Sequence, residues 1–255
     1  MDMEIRELCE QVVKAKNLRQ STAWSYRRLL LGAGITDDSL SRDDVESLMY
    51  NIENLATRRA TVIAVRSVLG HQIKIPRSPK RSYVLPEESA LRLALMTSPH
   101  EVRGLLMMYA GCRVGEACAV TQRSVNGDKL LIDRQIVQLQ ASPRETGLDS
   151  QRVLRVGPVK CSEAVVTIPH WLSPLVETIS DTAIPSQVRE SLRRAGQRVG
   201  IKINPHMLRH WYATTMLERG APHTLVQKQM RHTDIATTLR AYSEFRDEDI
   251  HEMFG

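Results

Sequence analysis

The stretch HMLRHWYATTMLERG, residues 206–220, decides how the rest of the sequence is interpreted. It follows Pro205, and proline is favoured in the first turn of a helix because its missing N–H is not needed there. The stretch therefore predicts a helix that opens with His206, Arg209 and His210. Spacings of three and four residues place Arg209 and His210 on the same side of that helix as His206. At least two cationic or hydrogen-bonding groups are therefore expected to converge.

Two histidines four residues apart also fit a zinc site. Met207, however, stands where a metalloprotease helix carries its glutamate, and no cysteine or carboxylate lies nearby to complete a set of ligands. A plain amphipathic helix, with a partly buried histidine and an exposed arginine, is a further alternative. The stretch by itself does not decide between these interpretations.

Three further segments carry candidate functional side chains. GCRVGEACAV, residues 111–120, places Arg113 at the start of an apolar helical stretch, with Glu116 three residues on as its partner. VGPVKCSEAVVTIP, residues 156–169, places Lys160 between two predicted strands. MRHTDIATTLRAYSEF, residues 230–245, has His232 and Tyr242 on either side of a short helix. Taken singly, they fit a helix-surface ion pair, a solvated turn lysine and a packed tyrosine.

Together the four segments indicate one chemistry. Two arginines donate planar pairs of N–H groups to phosphate oxygens, and a lysine and histidines supply proton transfer. A tyrosine hydroxyl supplies a nucleophile. The sequence has no cluster of Asp and Glu that would hold magnesium, so we expect no metal and no other cofactor.

The remaining sequence predicts a mainly α fold with a small antiparallel β-sheet. Residues 1–75 have apolar residues at helical spacing and predict about four short helices, and Gly32 and Gly34 mark the end of the second. Residues 76–86 are rich in proline and basic side chains and predict a linker, and 87–255 form a second, larger domain. Between residues 129 and 169, three segments rich in Val, Ile and Leu predict a three-stranded sheet. Helix N-caps are predicted at Ser21 or Thr22, at Ser41 and at Thr57.

Composition suits an anionic partner. The 255 residues carry a net charge of +6 and have a pI near 9.3. The four cysteines, Cys9, Cys112, Cys118 and Cys161, lack CxxC spacing, and the chain starts with a charged stretch, not a signal peptide. No apolar run is long enough to cross a bilayer. We therefore expect reduced thiols, a cytoplasmic protein and no membrane partner.

The four segments, in this order, resemble the signature motifs of the tyrosine recombinase family, or phage-type integrases. GCRVGE matches G-x-R-x-x-E, KCSEAVVTIP matches the lysine hairpin, HMLRH matches H-x-L-R-H, and RHTDIATTLRAY matches G-H-x-x-x-x-T-T followed by tyrosine. The resemblance implies the catalytic residues Arg113, Lys160, His206, Arg209, His232 and Tyr242, with Glu116 and His210 in support. Two departures stand out. Arg231 occupies a position where glycine is usual, and Tyr242 lies ten residues past His232 where nine is common.

The resemblance also implies a mechanism and partners. Tyr242 would attack the scissile phosphate to form a 3′-phosphotyrosyl bond, and Lys160 would protonate the released 5′-hydroxyl. Residues 1–75 would form a core-type DNA-binding domain, with no arm-binding domain before it, that closes with the catalytic domain around double-stranded DNA at core-type attachment sites. A homotetramer and, in some systems, an accessory DNA-bending or directionality protein would complete the reaction.

Two surfaces are predicted for contact. Arg27, Arg58 and Arg59, near predicted helix starts, are reasonable phosphate contacts. The tail EFRDEDIHEMFG, residues 244–255, spaces its apolar residues along one helical edge. That edge docks either on a neighbouring subunit or on its own domain. Rival functions are a type IB topoisomerase-like enzyme, a DNA-binding regulator without activity, and a zinc hydrolase built on His206 and His210.

Overall fold

The computed structural model describes residues 3–18, 20–77, 85–140, 152–159 and 163–231. The chain divides into two compact units, Met1–Arg81 and Ser82–Gly255. The division falls within the range 76–86 that the sequence predicts as a linker, and the role of that segment stays a prediction. Among the described residues, no helix is both long and apolar enough to cross a membrane.

The first unit is built from four helices, as its apolar spacing predicts. They are α1 (Ile5–Ala15), α2 (Gln20–Gly32), α3 (Arg42–Tyr50) and α4 (Leu55–Val68). Each helix contributes buried side chains to one common core, which includes Ile5, Leu30, Val45 and Val65. Burial of these apolar faces is the main force that holds such short helices, which are marginal when isolated in water.

The helix caps of the first unit agree with the predictions at one position of three. Ser41 caps α3, and its hydroxyl accepts a hydrogen bond from the backbone N–H three residues on at 3.2 Å. Ser21 and Thr22 lie inside α2, which has already begun at Gln20. The predicted cap Thr57 is also wrong, because Asn54 caps α4 and accepts from the Thr57 N–H at 3.0 Å. Thr57 is thus the third residue of α4, the position whose N–H a cap residue bonds, and the cap itself lies three residues earlier.

The second unit is mostly helical and carries short strands. Its helices are α5 (Glu88–Met96), α6 (Glu101–Tyr109), α7 (Val114–Ala119), α8 (Ser173–Glu177), α9 (Pro185–Val199), α10 (Pro205–Glu218) and α11 (His223–Met230), with a 3₁₀ turn at Gln122–Ser124. The strands are β1 (Val125–Asn126), β2 (Lys129–Ile132), β3 (Arg134–Gln140), β4 (Arg152–Pro158) and β5 (Ala164–Thr167). The predicted fold class, mainly α with a small antiparallel sheet, is confirmed.

The strands form two sheets, so the single three-stranded sheet predicted from sequence is wrong in this detail. One sheet has the order β1-β2-β5, and the other pairs β3 with β4. All pairs are antiparallel, with Leu130 opposite Val166 in the first sheet and Gln135 opposite Gly157 in the second. The apolar run 129–140 is interrupted at Asp133, whose carboxylate accepts from the Arg134 guanidinium at 2.9 and 2.6 Å. Beyond that residue the chain changes its pairing partner.

Helix α6 lies at the centre of the second unit. Four successive residues, Leu105, Leu106, Met107 and Met108, are buried, so the helix is covered on all sides. It packs against α10 and α7. Since α7 begins only five residues after α6 ends, the segment that carries Arg113 emerges directly from this core.

Cysteine placement is compatible with reduced thiols. Cys9, Cys112 and Cys118 are buried and unpaired by disulfides. Cys161 lies outside the described residues. Burial raises the pKa of Cys9 and Cys118 to about 11, so both thiols stay protonated near neutral pH.

Candidate active site

The turn between α6 and α7 is built around Gly111. This residue has a φ of +59°, a region that side chains rarely adopt. A Cβ at this position would lie 2.7 Å from Met230 Sδ and 2.8 Å from Cδ1 of Tyr212. Met230 and Tyr212 thus fill the space that a side chain would need, so this position requires glycine. The Gly111 carbonyl accepts hydrogen bonds from Arg209 and, at 3.3 Å, from Arg231, so the same turn meets two guanidinium groups.

Arg113 follows this turn and stands at the N-cap of α7. Its backbone N–H donates to Glu116 Oε2 at 2.7 Å, and its guanidinium donates to Glu116 Oε1 at 2.9 Å. The pair predicted from sequence is therefore present. It is not the helix-surface pair considered as the alternative, because the Glu116 side chain is 0% exposed while that of Arg113 is 23% exposed. Part of the Arg113 side chain thus remains open to solvent.

Arg209 reaches the same turn from α10. That helix begins at Pro205, as predicted, and Asn204 caps it by accepting from the Met207 N–H at 3.0 Å. The Arg209 guanidinium is buried and donates to the carbonyls of Gly111 and Met230. Its contacts tie the α6–α7 turn to the end of α11.

Arg231 is a site residue that the functional interpretation of the sequence missed. It follows α11 directly, its side chain is 1% exposed, and it donates to Glu116 Oε2 at 2.5 Å. The only sequence signal was its place where the resembled family has glycine. Two guanidinium groups, those of Arg113 and Arg231, therefore hold the Glu116 carboxylate, and that of Arg209 reaches the same turn at the Gly111 carbonyl.

The charges of this cluster shift the pKa values of its members. Burial, and then the like charges of Arg113 and Arg231, lower the pKa of Arg209. Burial alone would raise the pKa of Glu116, but the charge of Arg231 and the hydrogen bonds from Arg113 outweigh it and lower the value. The described groups carry three positive charges and one negative charge, a formal excess of +2 (3 − 1 = 2). An anion in the site would relieve the repulsion between the guanidinium groups.

Glu116→Gln is expected to destabilise the full chain by about 2–3 kcal/mol, because hydrogen bonds to charged groups are lost in a buried site. In the wild type the lowered pKa of Glu116 contributes stability that is present above the unfolded-state pKa. That contribution is lost as the pH falls through the unfolded-state value towards the folded one. Urea unfolding from pH 7 to pH 3 measures both effects, and the variant should lose less stability on the acid side. Equal stability of the two proteins at pH 7 would contradict the expectation.

The predicted histidines on α10 lie at different depths. His206 is exposed and His210 is half-buried, whereas Arg209 between them is buried. Across the described residues, no three His, Cys, Asp or Glu side chains are grouped as ligands of one metal ion. Lys160, His232 and Tyr242 lie outside the described residues. Their roles stay predictions.

The three arginines predicted to contact DNA belong to the first unit. Arg27 is half-buried in the middle of α2, so its predicted place near a helix start is wrong. Arg58 lies in the first turn of α4 and donates to the carbonyls of Ile52 at 2.8 Å and Tyr50 at 3.0 Å. Arg59 donates to a backbone carbonyl, that of Pro76, at 2.5 Å. Both side chains thus already donate to backbone carbonyls of the first unit, Arg58 to carbonyls near the end of α3 and Arg59 to one after α4.

Comparison with known proteins supports the interpretation of these motifs. Residues 175–249 match the model of the phage integrase family. Tyrosine recombinase XerA of Thermococcus onnurineus is 30% identical over 172 residues, and the match covers 65% of this chain and 58% of the relative. The chain thus spans little more than half the length of that relative. Tyrosine recombinase XerD of Oceanobacillus iheyensis is 25% identical over 282 aligned residues, with 94% of this chain and 92% of the relative covered.

The fold is also similar to that of a solved integrase. A structure of the Tn1549 transposon integrase in complex with transposon right end DNA superposes with a TM-score of 0.73, and 98% of each chain is covered. At 12% identity this likeness concerns the fold. With the family match over residues 175–249 and the two relatives, the chain is similar to tyrosine recombinases in sequence, and its fold is that of a solved integrase.

Proposed function

We propose that this protein is a site-specific DNA recombinase, or integrase, that cuts and rejoins DNA through a 3′-phosphotyrosyl intermediate. The observation that carries the proposal is the convergence of Arg113 and Arg209 on one turn, with an excess of positive charge. A phosphodiester is the anion in DNA whose charge and oxygen atoms suit such a cluster. Integration or excision of phage or mobile-element DNA is the process that we assign to it.

The reaction consists of two phosphoryl transfers, the first to Tyr242 and the second to a DNA 5′-hydroxyl. The phenolic oxygen of Tyr242 attacks the scissile phosphorus, the bond from phosphorus to the 5′-oxygen breaks, and Lys160 gives that oxygen a proton. His206 and His232 assist proton transfer and hydrogen bonding at the phosphate. A 5′-hydroxyl from a partner strand then attacks the phosphotyrosyl bond and restores the phenol. The bond energy is conserved, so no nucleotide cofactor is needed.

Arg113 and Arg209 supply the charge stabilisation in this scheme. As phosphorus becomes five-coordinate, negative charge grows on its non-bridging oxygens, and donors already held in place stabilise it without reorganisation. Glu116 holds Arg113 through two hydrogen bonds, at its backbone and at its guanidinium. His210, the residue after Arg209 on α10, is the other supporting residue. No step uses a metal ion.

Double-stranded DNA with core-type attachment sites is the proposed partner. The solved Tn1549 integrase is in complex with transposon DNA, and solved XerH is bound to a difH substrate. For this chain we propose a homotetramer on two DNA sites, joined in some reactions by an accessory DNA-bending or directionality protein. The first unit serves as the core-type DNA-binding domain, with Arg27, Arg58 and Arg59 as phosphate contacts. Phosphate contacts of this kind set affinity and make it salt-dependent.

A nicked suicide duplex tests the proposal. The full chain is mixed with duplexes that carry its host's attachment sequence, and the nick lets the short 5′-hydroxyl strand diffuse away. We expect an adduct that survives denaturation, forms in EDTA, and carries a 3′-phosphate on Tyr242 in peptide mass spectrometry. A second duplex with a free 5′-hydroxyl should accept the strand. Absence of any adduct with the attachment sequence would overturn the proposal, and strand closure without exchange between two sites would favour a topoisomerase-like enzyme.

A further inference from the structure

The residue after α11 has an unusual backbone conformation for its type. Arg231 ends the helix with φ of 52° and ψ of 45°, in the left-handed region. Helices commonly end in this conformation, but glycine is the residue that adopts it without steric cost. Among the described non-glycine residues, Asn17 in the first unit is the other with positive φ, and asparagine tolerates this region well. An arginine here therefore needs a compensating contribution from its side chain.

The side chain of Arg231 makes that contribution inside the candidate site. One terminal nitrogen donates to Glu116 Oε2 at 2.5 Å and lies 3.3 Å from the Gly111 carbonyl, and the other donates to the Gln229 carbonyl at 2.9 Å. The Arg231–Glu116 pair joins residues 115 positions apart and is shielded from solvent on both sides. Buried ion pairs are geometrically demanding, so this one fixes the position of Glu116.

Arg231 also shares hydrogen-bond acceptors with both Arg113 and Arg209. It shares Glu116 with Arg113, each arginine holding the carboxylate from a different side, and its backbone carbonyl lies 3.4 Å from Arg113 Nη2. With Arg209 it shares the carbonyl of Gly111. One buried guanidinium thus links the groups that hold Arg113 and Arg209.

We propose that Arg231 is a positioning residue, which holds Glu116 and the Gly111 carbonyl so that Arg113 and Arg209 are oriented for the scissile phosphate. The inference rests on the proposed function. In the proposed reaction Arg113 and Arg209 are the phosphate contacts, and Arg231, whose side chain is 1% exposed, donates to Glu116 and to the Gly111 carbonyl instead. It acts through the Glu116 carboxylate and the Gly111 carbonyl.

Arg231→Gly separates this role from simple backbone fitting. Glycine relieves the left-handed conformation but removes the guanidinium, so we expect single-turnover cleavage at saturating DNA to fall by up to about 100-fold, the cost of misplaced reacting groups. DNA affinity, measured by fluorescence anisotropy, should stay close to the wild-type value because the phosphate contacts lie elsewhere. Arg231→Lys keeps one cationic nitrogen for Glu116 and should recover part of the cleavage rate.

Asn17→Gly is the matched control. It also replaces a residue of positive φ by glycine, but at a position far along the sequence from the site. It should cleave at the wild-type rate. Circular dichroism at the assay temperature establishes that each variant is folded. A folded Arg231→Gly protein that cleaves as fast as the wild type overturns the inference. If Arg231→Gly does not fold, cleavage by Arg231→Lys at the full wild-type rate overturns the inference. A wild-type protein that does not cleave contradicts the proposed function instead.

Discussion

Tyr242→Phe is expected to abolish the covalent adduct with suicide duplexes while DNA binding remains. Phenylalanine keeps the ring but lacks the oxygen that would bond to phosphorus, so no 3′-phosphotyrosyl bond forms. The measurement is a denaturing gel with end-labelled duplex, read beside an anisotropy titration of the same variant. The loss should be complete, since a missing nucleophile is not replaced by charge stabilisation.

Tyr212→Phe is the matched control for this experiment. Tyr212 lies on α10 beside the Gly111 turn, so it is the described tyrosine that competes by position. It is buried, and burial raises its pKa to about 12, which disfavours the phenolate needed for attack. We expect this variant to keep adduct formation. An adduct lost in Tyr212→Phe and retained in Tyr242→Phe would show that the nucleophile has been assigned to the wrong residue.

Local signals were sufficient to predict several helix starts and one ion pair. Proline followed by a helical run placed the start of α10 at Pro205, and the serine at position 41 was identified as a cap. These predictions succeed because a proline ring and a short hydroxyl side chain act within one turn of their own position. The Arg113–Glu116 pair follows from three-residue spacing in the same way.

Non-local contacts explain what the sequence could not predict. Whether residues 129–140 form one strand or two depends on which distant segment pairs with each half, and β4 and β5 divide that role. Burial of Glu116 depends on the arrival of Arg231 from the end of α11. In the sequence, Arg231 stands beside a histidine in a polar segment, and no local feature distinguishes it from a solvent-exposed arginine. Its left-handed backbone and its partner become visible only in three dimensions.

Arg209→Lys is expected to reduce the rate of adduct formation on the order of 10²–10³-fold, the usual cost of one preorganised donor. Lysine keeps a positive charge but not the planar pair of N–H groups that reaches two acceptors at once. In the wild type the Arg209 guanidinium donates to the carbonyls of Gly111 and Met230. A lysine ammonium does not reach both carbonyls, so the link between the α6–α7 turn and α11 is lost. Single-turnover cleavage at saturating DNA measures the effect on the chemical step.

Arg103→Lys separates this chemical effect from loss of packing. Arg103 is also a buried arginine of the second unit that donates to backbone carbonyls, those of Ala117, Val120 and Asp181. It takes no part in the cluster around Glu116, so its variant should unfold at lower urea concentration yet cleave normally while folded. If both lysine variants lost cleavage only in proportion to their unfolded fraction, Arg209 would be a structural arginine. A rate lost in folded Arg209→Lys alone would instead require its guanidinium at the phosphate.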